Sequence, residues 1–313
     1  MNCLVTGGAG FIGSNLVDAL VSRGDSVAVV DNLASGRLEN LTGALGAGAV
    51  LYELDVCDRD GLAAVFDQAR PELVFHLAAQ IDVRHSVKDP AADAAVNVLG
   101  AINVLEASLH GGVRRIVNSS TGGGLYGDAD LIPTPEDHQV LPLAPYGQSK
   151  LAAEGYFEFY ARVHGLSSLS LRYGNVYGPR QDVHGEAGVV AIFCGCLLDG
   201  VTPKVFGDGR QTRDWVRVSD VVRANLLAAD ATATGAVNVA CGTETSVLEL
   251  ITELRAAGAE FAKPLADPEF LPGREGEVRR SRLDVSRAKR ELGFSAQIGL
   301  RAGLSEILRG LAA

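Results

Sequence analysis

The glycine-rich stretch TGGAGFIG, residues 6–13, constrains the fold of this chain more than any other segment. It joins a short β-branched run at residues 2–6 to an apolar pattern of helical period, and Gly7, Gly10 and Gly13 follow G-x-x-G-x-x-G spacing. Residues without a Cβ allow a tight turn and a close approach of the backbone to a pyrophosphate, which then faces the helix N-terminus. In this strand–loop–helix context the glycines predict a dinucleotide-binding unit.

Strand and helix patterns alternate over about the first 170 residues. Strands are predicted at residues 2–6, 26–30, 49–54, 73–77, 115–119 and 169–172, and helices near 12–23, 58–69, 90–110 and 146–164. Several of these strands are apolar on both faces, as the central strands of a parallel sheet are. The pattern predicts an α/β fold with a doubly wound parallel (Rossmann) sheet.

The pattern changes after about residue 175, where glycine and proline cluster in YGPR, FGDG and LPGREG. Further helices are predicted near 186–199, 219–230, 246–256 and 299–309. We therefore expect a dinucleotide-binding domain over residues 1–175 and a smaller mixed α/β substrate domain over residues 176–313. A strand near 237–240 would return to the main sheet and soften this boundary.

Composition limits the classes of partner. A formal net charge of −10 argues against general binding to nucleic acids or anionic membranes, since both require a basic surface. We expect no secretory leader, and no uninterrupted apolar run of membrane-spanning length. The cysteines are odd in number and scattered, which favours reduced thiols and a cytoplasmic location. Cys194 and Cys196 lack a second pair, so we expect no metal site there.

A carboxylate, Asp31, ends the second predicted strand, 18 residues after Gly13. Such a group accepts hydrogen bonds from both ribose hydroxyls of an adenosine and repels a 2′-phosphate, so NAD is favoured over NADP. The alternative is that Asp31 caps the following turn. After the third strand, Asp55 and Val56 are expected at the adenine edge. The small alanines of HLAAQ, residues 76–80, would let the backbone lie against the cofactor.

The stretch PYGQSK, residues 145–150, places Tyr146 four residues before Lys150, on one face of a helix. A free tyrosine has a pKa of about 10 and is roughly 0.1% phenolate at neutral pH. To act as a base it needs a shift of about two to three units, on the order of 3–4 kcal/mol. A buried Lys150 and the positive nicotinamide ring of NAD would supply that shift. On a solvated helix face the pair would have no chemical role.

Five stretches of this chain resemble, in order and spacing, an extended short-chain dehydrogenase/reductase that acts on nucleotide sugars: TGGAGFIG, HLAAQ, SST (119–121), YGQSK and RYGNVYGPR (172–180). The resemblance covers nearly the whole chain. Three later stretches are similar to the UDP-glucose/UDP-galactose 4-epimerase branch: GEAGVV (185–190), FGDGRQTRDWV (206–216) and PGREGE (272–277). The NAD contacts that the resemblance implies are Gly7, Gly10, Phe11, Ile12, Gly13, Asp31, Asn32, Asp55, Val56, Leu77, Ala78, Ala79, Gln80, Asn97, Ser119, Tyr146, Lys150 and Tyr173.

The resemblance also implies a hydroxyl that relays a proton between the sugar 4-hydroxyl and Tyr146. Thr121 precedes Tyr146 by 25 residues, whereas counting back from the tyrosine of LYG puts this position on Gly122. We favour Thr121, with Ser120 as the alternative, and expect the following glycines to let the loop adjust. Related 4,6-dehydratases carry an Asp-Glu pair where this chain has Gly122 and Gly123. The residues that remain indicate oxidation of one alcohol followed by its reduction, which is C4 epimerisation.

The resemblance implies further contacts with a UDP-sugar or dTDP-sugar. Arg213 and Arg274 would hold the diphosphate, since a guanidinium pairs with phosphate in a forked geometry. Asn175 would contact the diphosphate or the sugar. Ser281, a small residue at the position that gates the sugar pocket, implies that N-acetyl sugars are accepted besides UDP-glucose and UDP-galactose. The nucleoside contacts would be Gly188, Val189 and Val190 for uracil and Glu277 for the ribose.

Two other functions stay open at this point. One is a nucleotide-sugar dehydrogenase or 4-reductase with net redox output, and the other is a non-catalytic NAD-sensing protein. The resemblance further implies a homodimer that pairs helices near residues 97–110 and 149–164. Their apolar stripes are equally compatible with a place in the core.

Overall fold

The computed structural model describes residues 1–182, 188–259, 265–273 and 278–312. Its strands are β1 (Asn2–Thr6), β2 (Ser26–Asp31), β3 (Val50–Glu53), β4 (Leu73–His76), β5 (Arg115–Thr121), β6 (Ser168–Tyr173), β7 (Asn175–Tyr177), β8 (Lys204–Phe206), β9 (Thr212–Arg213), β10 (Trp215–Arg217), β11 (Gly235–Val239), β12 (Thr245–Ser246) and β13 (Glu269–Leu271). Its helices are α1 (Phe11–Ser22), α2 (Thr42–Gly46), α3 (Arg59–Ala69), α4 (Val83–Lys88), α5 (Pro90–Ala94), α6 (Gly100–His110), α7 (Gly122–Leu125), α8 (Pro145–His164), α9 (Val189–Asp199), α10 (Val218–Asp230), α11 (Val247–Gly258), α12 (Ser286–Leu292) and α13 (Leu300–Ala312). Leu38–Leu41 forms a 3-10 turn, and Ala95–Leu99 forms a π-helical turn between α5 and α6.

The main sheet has seven parallel strands in the order β11-β6-β5-β4-β1-β2-β3. Strands β4 and β6 are buried along their whole length because helices cover both faces of the sheet. One apolar cluster lies on the face covered by α1 and α10, and a second lies on the face covered by α3, α6 and α8. The predicted doubly wound parallel sheet is confirmed, and its six predicted strands are all present with ends shifted by at most two residues.

The chain after residue 175 contributes to both parts of the molecule. Strand β11 pairs in parallel with β6, with Val237 opposite Leu171, and α10 packs against α1. The predicted returning strand therefore exists, at Gly235–Val239. A third apolar cluster, built by α9, α11 and α13 around Trp215, forms the core of a smaller unit. A two-domain division remains our proposal, with α10 and β11 assigned to the sheet domain.

One helical stretch in the described part of the chain, Pro90–His110, has the length and apolar composition needed to cross a membrane. Asp93 and Glu106 interrupt the stretch, so it is not an uninterrupted apolar run. The stretch consists of α5, the π-helical turn and α6, and it packs against α3 and α8 in the layer that covers the sheet. These contacts are those of a core helix.

Candidate active site

The glycine loop between β1 and α1 is packed too closely to hold side chains. A Cβ on Gly7, which has φ +68°, would lie 2.6 Å from the Ala78 nitrogen, and one on Gly13 would lie 2.1 Å from the Gly7 oxygen. Helix α1 begins with Phe11 and Ile12 directly after Gly10, and the described residues provide no side-chain cap for it. The N–H groups of its first turn are therefore left for a ligand. This cradle fits the pyrophosphate of NAD.

Asp31 ends β2 with only 7% of its surface exposed. Its Oδ2 accepts a hydrogen bond from the Ala9 N–H at 2.9 Å, and its Oδ1 accepts one from the Leu33 N–H at 2.9 Å. The turn-capping role that was the alternative interpretation is thus present. A carboxylate has about four lone-pair sites, so two remain for ribose hydroxyls, and the two roles are compatible.

The residues predicted at the adenine edge follow β2 and β3. Asp55 accepts hydrogen bonds from Asn32 Nδ2 at 2.7 Å and from the Cys57 N–H at 2.8 Å. Burial opposes the ionisation of Asp55, but these two bonds hold its pKa below the usual value. Val56 is buried against α6, where a Cβ on Gly100 would lie 2.7 Å from its Cγ2. The structure therefore brings Asp55 and Asn32 together and turns Val56 toward the helix layer.

The loop after β4, residues 77–80, is tied to α8 by Asn97 of the π-helical turn. The Gln80 N–H donates to Asn97 Oδ1 at 2.9 Å, and Asn97 Nδ2 donates to the Gln80 oxygen at 2.9 Å and to Ser149 Oγ at 3.1 Å. Ser149 Oγ in turn donates to the Tyr146 oxygen at 2.9 Å. Short π-helical turns inside α-helices frequently occur at functional sites. Here the turn connects the predicted cofactor loop, with Leu77, Ala78 and Ala79, to the predicted catalytic helix.

Tyr146 and Lys150 lie in the first two turns of α8, four residues apart. Lys150 is 5% exposed, and its Nζ donates to the Ser119 oxygen at 3.1 Å. Burial lowers the pKa of Lys150 to about 8, while the carboxylates of Asp93 and Glu154 act to raise it. Lys150 therefore stays mainly protonated at neutral pH and places a positive charge in the interior of the site.

The partly buried Tyr146 side chain lies beside the Thr121 side chain. Burial raises the pKa of Tyr146 to about 12, the neighbouring Thr121 side chain acts to lower it, and the Asp93 carboxylate acts to raise it. The predicted lowering of this pKa needs Lys150 and a nicotinamide ring together, and in the protein alone burial dominates. Tyr146 can serve as a base near neutral pH only when a further positive charge, such as a bound nicotinamide ring, lies against it.

The structure distinguishes the two candidate relay hydroxyls. Thr121 Oγ1 accepts a hydrogen bond from the Gly124 N–H at 3.1 Å and contacts the Tyr146 phenol. Ser120 Oγ is buried and has no hydrogen-bond partner among the residues that the structure describes. The contact with Tyr146 favours Thr121.

The glycines after Thr121 do not form an adjustable loop, contrary to our expectation; they form the short helix α7. A Cβ on Gly122 would lie 2.4 Å from Leu283 Cδ1, and one on Gly124 would lie 3.1 Å from Thr121 Cγ2. A Cβ on Gly147 of α8 would lie 2.4 Å from the Gly124 oxygen. Glycine at positions 124 and 147 therefore lets α8 approach the end of β5, which brings Tyr146 to Thr121.

Two of the predicted substrate residues lie at the start of β7 and in β9. The Asn175 N–H donates to the Asp214 oxygen at 2.7 Å, while Asn175 Oδ1 is buried with no hydrogen-bond partner in the described part of the chain. Arg213 Nη1 donates to the oxygens of Thr212 at 2.7 Å and Val278 at 2.8 Å. A buried amide oxygen without a partner is a natural position for a ligand hydroxyl.

The predicted uracil contacts are at the start of α9. Gly188 is the N-cap residue of this helix, and a Cβ there would lie 2.2 Å from Gln181 Nε2. Val189 is partly exposed, but Val190 is 1% exposed and packs in the apolar core of the smaller unit. The Val190 side chain is therefore not available to a base, and only the backbone of this residue remains as a contact.

The remaining predicted residues are placed differently. Tyr173 directs its hydroxyl into the core, where it donates to Asn225 Oδ1 of α10 at 3.0 Å, so the predicted NAD contact is left to the other atoms of this residue. Ser281 is half-buried in the segment before α12. Arg274 and Glu277 lie outside the described residues.

Two side chains at the centre of the network, Asp93 and Ser149, were not predicted. Asp93 is fully buried in α5, and its Oδ1 accepts hydrogen bonds from Gln80 Nε2 at 2.8 Å and Asn97 Nδ2 at 3.1 Å. The sequence contained a signal for each residue. Asp93 precedes Asn97 by four residues in a predicted helix, and Ser149 is adjacent to Lys150.

Comparison with known proteins agrees with this geometry. Residues 3–240 match the family described as the NAD dependent epimerase/dehydratase family. The chain is 47% identical over 308 residues to the UDP-glucose 4-epimerase of Mycolicibacterium smegmatis, and the match covers 98% of this chain and 97% of that protein. Two solved structures are also similar across the whole chain. The UDP-glucose 4-epimerase of Thermotoga maritima, solved with UDP-glucose, has a TM-score of 0.95 at 45% identity, and the match covers 100% of this chain and 99% of that one.

The second solved structure is the UDP-glucose 4-epimerase of Thermus thermophilus in complex with NAD. It has a TM-score of 0.90 at 40% identity, with coverage of 100% of this chain and 99% of that one. These matches confirm the resemblance that the sequence motifs indicated.

Proposed function

Because this chain belongs to the NAD-dependent epimerase/dehydratase family, we propose that it catalyses the reversible C4 epimerisation of UDP-glucose and UDP-galactose. The family name covers epimerases and dehydratases, so the site residues of this chain must decide between the two reactions. The observation that carries the proposal is the contact of Tyr146 with Thr121. The two residues after Thr121 are Gly122 and Gly123, which bring no carboxylate into the site. A Cβ at position 122 would lie 2.4 Å from Leu283 Cδ1, so Leu283 would have to shift to accept it. The solved relative that contains UDP-glucose supports the choice of substrate.

NAD, held by the glycine loop and Asp31, would supply the reversible oxidation at sugar C4. Tyr146 takes the proton of the 4-hydroxyl, through or beside Thr121, and returns it when the alcohol is re-formed. Lys150 places a positive charge in the site, which stabilises the phenolate. Arg213, together with Arg274 as the resemblance implies, holds the diphosphate while the 4-keto sugar turns to present its other face.

The test of this function is incubation of the purified protein with UDP-galactose, UDP-GalNAc, UDP-GlcA and dTDP-glucose in separate reactions, without added NAD. Products are identified by NMR. We expect conversion of UDP-galactose to UDP-glucose with no accumulation of NADH, which is followed by its near-ultraviolet absorbance. Steady accumulation of NADH would instead identify a dehydrogenase, and loss of water from dTDP-glucose would identify a dehydratase.

Substitution of the proposed base tests the mechanism. Tyr146→Phe removes the phenol hydroxyl and is expected to lower the epimerisation rate by about 10²–10⁴-fold, the usual share of general acid–base catalysis. Tyr156→Phe is the matched control, because it removes a hydroxyl from the exposed side of the same helix α8. A Tyr146→Phe protein that keeps the wild-type rate would rule out the mechanism.

We also propose that Ser281 admits N-acetyl sugars, because a small side chain at the gating position leaves room for the acetamido group. Ser281→Tyr is expected to abolish turnover of UDP-GlcNAc and to spare that of UDP-glucose. Equal rates of the wild type and Ser281→Tyr on UDP-GlcNAc would contradict this proposal.

A homodimer and a cytoplasmic location are further proposals. Support for the dimer comes from exposed apolar side chains on α8 and on the π-helical turn before α6. Leu99 of the turn is 58% exposed, and Tyr156, Phe159 and Val163 of α8 are 40%, 40% and 55% exposed. Phe159→Glu would place a charge in that surface and is expected to yield monomers in sedimentation velocity experiments. The cysteines, all free in the structure, support a reducing compartment.

A further inference from the structure

The buried ammonium of Lys150 requires a negative charge nearby. Its Nζ donates to the Ser119 oxygen, which is a neutral acceptor. Two carboxylates act electrostatically on it, those of Asp93 and Glu154. A buried charge without an opposite charge costs several kcal/mol, as a rough general value, so the question is which carboxylate compensates Lys150.

Glu154 is already compensated by another cation. Arg172 donates Nε to Glu154 Oε1 at 3.1 Å and Nη2 to Glu154 Oε2 at 2.7 Å, and both side chains are buried. A forked pair of this kind cancels most of the charge of each partner. Glu154 therefore contributes little net negative charge to the surroundings of Lys150.

Asp93 is in the opposite situation. It is fully buried, and its Oδ1 is held by the amide groups of Gln80 and Asn97, which carry no charge. Its Oδ2 has no hydrogen-bond partner anywhere in the described ranges of the chain. Helix α5, which carries Asp93, packs against α8, which carries Tyr146 and Lys150. Asp93 is thus a fixed carboxylate that has no cation of its own and lies beside the catalytic helix.

We propose that Asp93 is a positioning residue of the active site, acting as the buried counter-charge that keeps Lys150 protonated. The pKa shifts agree with this role, because the Asp93 carboxylate acts to raise the pKa of both Lys150 and Tyr146. His76 of β4 also faces Lys150, but burial lowers the pKa of His76 to about 3, so it stays neutral. The Thr121 hydroxyl, the remaining group at the phenol, carries no charge.

The role of Asp93 has a signature that a merely structural residue lacks. Removal of its charge lowers the proton affinity of Lys150 and of Tyr146 together. Both limbs of the pH–rate profile therefore move toward lower pH in Asp93→Asn. A residue that only supported the fold would lower the rate at every pH and leave the limbs in place.

The direct test is an NMR titration of the lysine side chains, in the full-length protein, of the wild type and Asp93→Asn. Asparagine keeps the oxygen that Gln80 and Asn97 bind, so the hydrogen bonds survive while the charge is lost. We expect Lys150 to titrate about one pH unit lower in Asp93→Asn, the smallest shift typical of a nearby opposite charge. The matched control is Asp67→Asn, which removes a carboxylate from the exposed surface of α3 and should leave Lys150 unchanged.

Asp93→Glu provides a second variant that keeps the charge, and it should return Lys150 toward the wild-type value. An unchanged Lys150 titration in Asp93→Asn would overturn the proposal. So would a wild-type Lys150 that is already neutral at pH 7, a result that needs no variant. The pH–rate part rests on the proposed epimerase function, whereas the NMR titration does not. A wild-type protein that fails to epimerise UDP-galactose would therefore refute the function and still leave the role of Asp93 decided.

Discussion

Different kinds of contact stabilise two regions of this molecule. We call the region around the glycine loop and α8 the nucleotide side, and the region of β8, β9 and the segment before α12 the substrate side. Around the glycine loop, backbone packs directly on backbone, as at Gly13 against Gly7. On the substrate side, the segment before α12 is held by side chains that are far apart in sequence. Arg279 pairs with Asp208 at 2.7 Å across 71 residues of sequence. The first kind of contact depends on local spacing, and the second depends on the completed fold.

One carboxylate links the substrate side to the proposed catalytic loop after Thr121. Asp214 is fully buried and accepts hydrogen bonds from the N–H groups of Cys241 at 2.9 Å, Gly242 at 3.0 Å and Leu283 at 3.2 Å. Leu283 in turn covers Gly122. The position of the wall beside the catalytic loop therefore depends on a single side chain in another part of the chain.

The largest effect on stability is expected from Asp214→Ala. The substitution leaves one buried and two partly buried N–H groups without an acceptor, and each unsatisfied buried group costs about 1–3 kcal/mol. We expect the free energy of unfolding to fall by roughly 4 kcal/mol in urea denaturation. Asp214→Asn keeps one acceptor oxygen and should lose less. A loss below about 1 kcal/mol for Asp214→Ala would show that the substrate side does not depend on this carboxylate.

Gly13→Ala tests the backbone contact of the nucleotide side. A methyl group would lie 2.1 Å from the Gly7 oxygen, so the loop must shift. We expect a loss of about 2–3 kcal/mol, typical of overpacking, together with loss of bound NAD from the purified protein. Gly155→Ala is the control, because a Cβ there meets nothing within 4 Å and alanine stabilises a helix interior. Retention of NAD by Gly13→Ala would contradict the assigned cradle.

The pH dependence of the reaction tests whether the buried ammonium of Lys150, on the nucleotide side, is needed for the reaction. The pKa of Lys150, lowered by burial, is about 8, so the positive charge is present below that pH and lost above it. We expect the epimerisation rate to fall by about tenfold per pH unit once Lys150 is deprotonated. Lys150→Met should be slow at all pH values and lack this limb. A wild-type rate that is constant through pH 9 would argue against a catalytic role for this charge.

The smallest effect is expected from Asp208→Asn. The Asp208–Arg279 pair is about half exposed on both sides, where solvent and salt screen the attraction. We expect an unfolding midpoint close to that of the wild type. At low salt the midpoint should differ only marginally. If Asp208→Asn were as destabilising as Asp214→Ala, exposed ion pairs would have to be counted among the main supports of the substrate side.

Most of the nucleotide side was predictable because its signals are local. Each signal lies within a short stretch of sequence. These signals are the alternation of strands and helices, the spacing of the glycines, and the four-residue spacing of Tyr146 and Lys150. Asp31 was assigned to the end of a strand for the same reason. The direction of a single side chain was less predictable: Tyr173 and Val190 turn into the core, and no local pattern distinguishes that direction from the opposite one.

The sequence by itself determined the parallel sheet, the dinucleotide loop, and the helix that carries Tyr146 and Lys150. Each of them depends on the spacing of apolar residues or of a few key residues within a short stretch of the chain. Only the tertiary structure decided that burial raises the proton affinity of Tyr146 and that Leu283 packs against Gly122. It also decided that Asp93 lies in a helix packed against α8, with an Oδ2 that has no hydrogen-bond partner among the described residues. These features depend on desolvation and on contacts between distant segments. Neither quantity exists until the chain has folded.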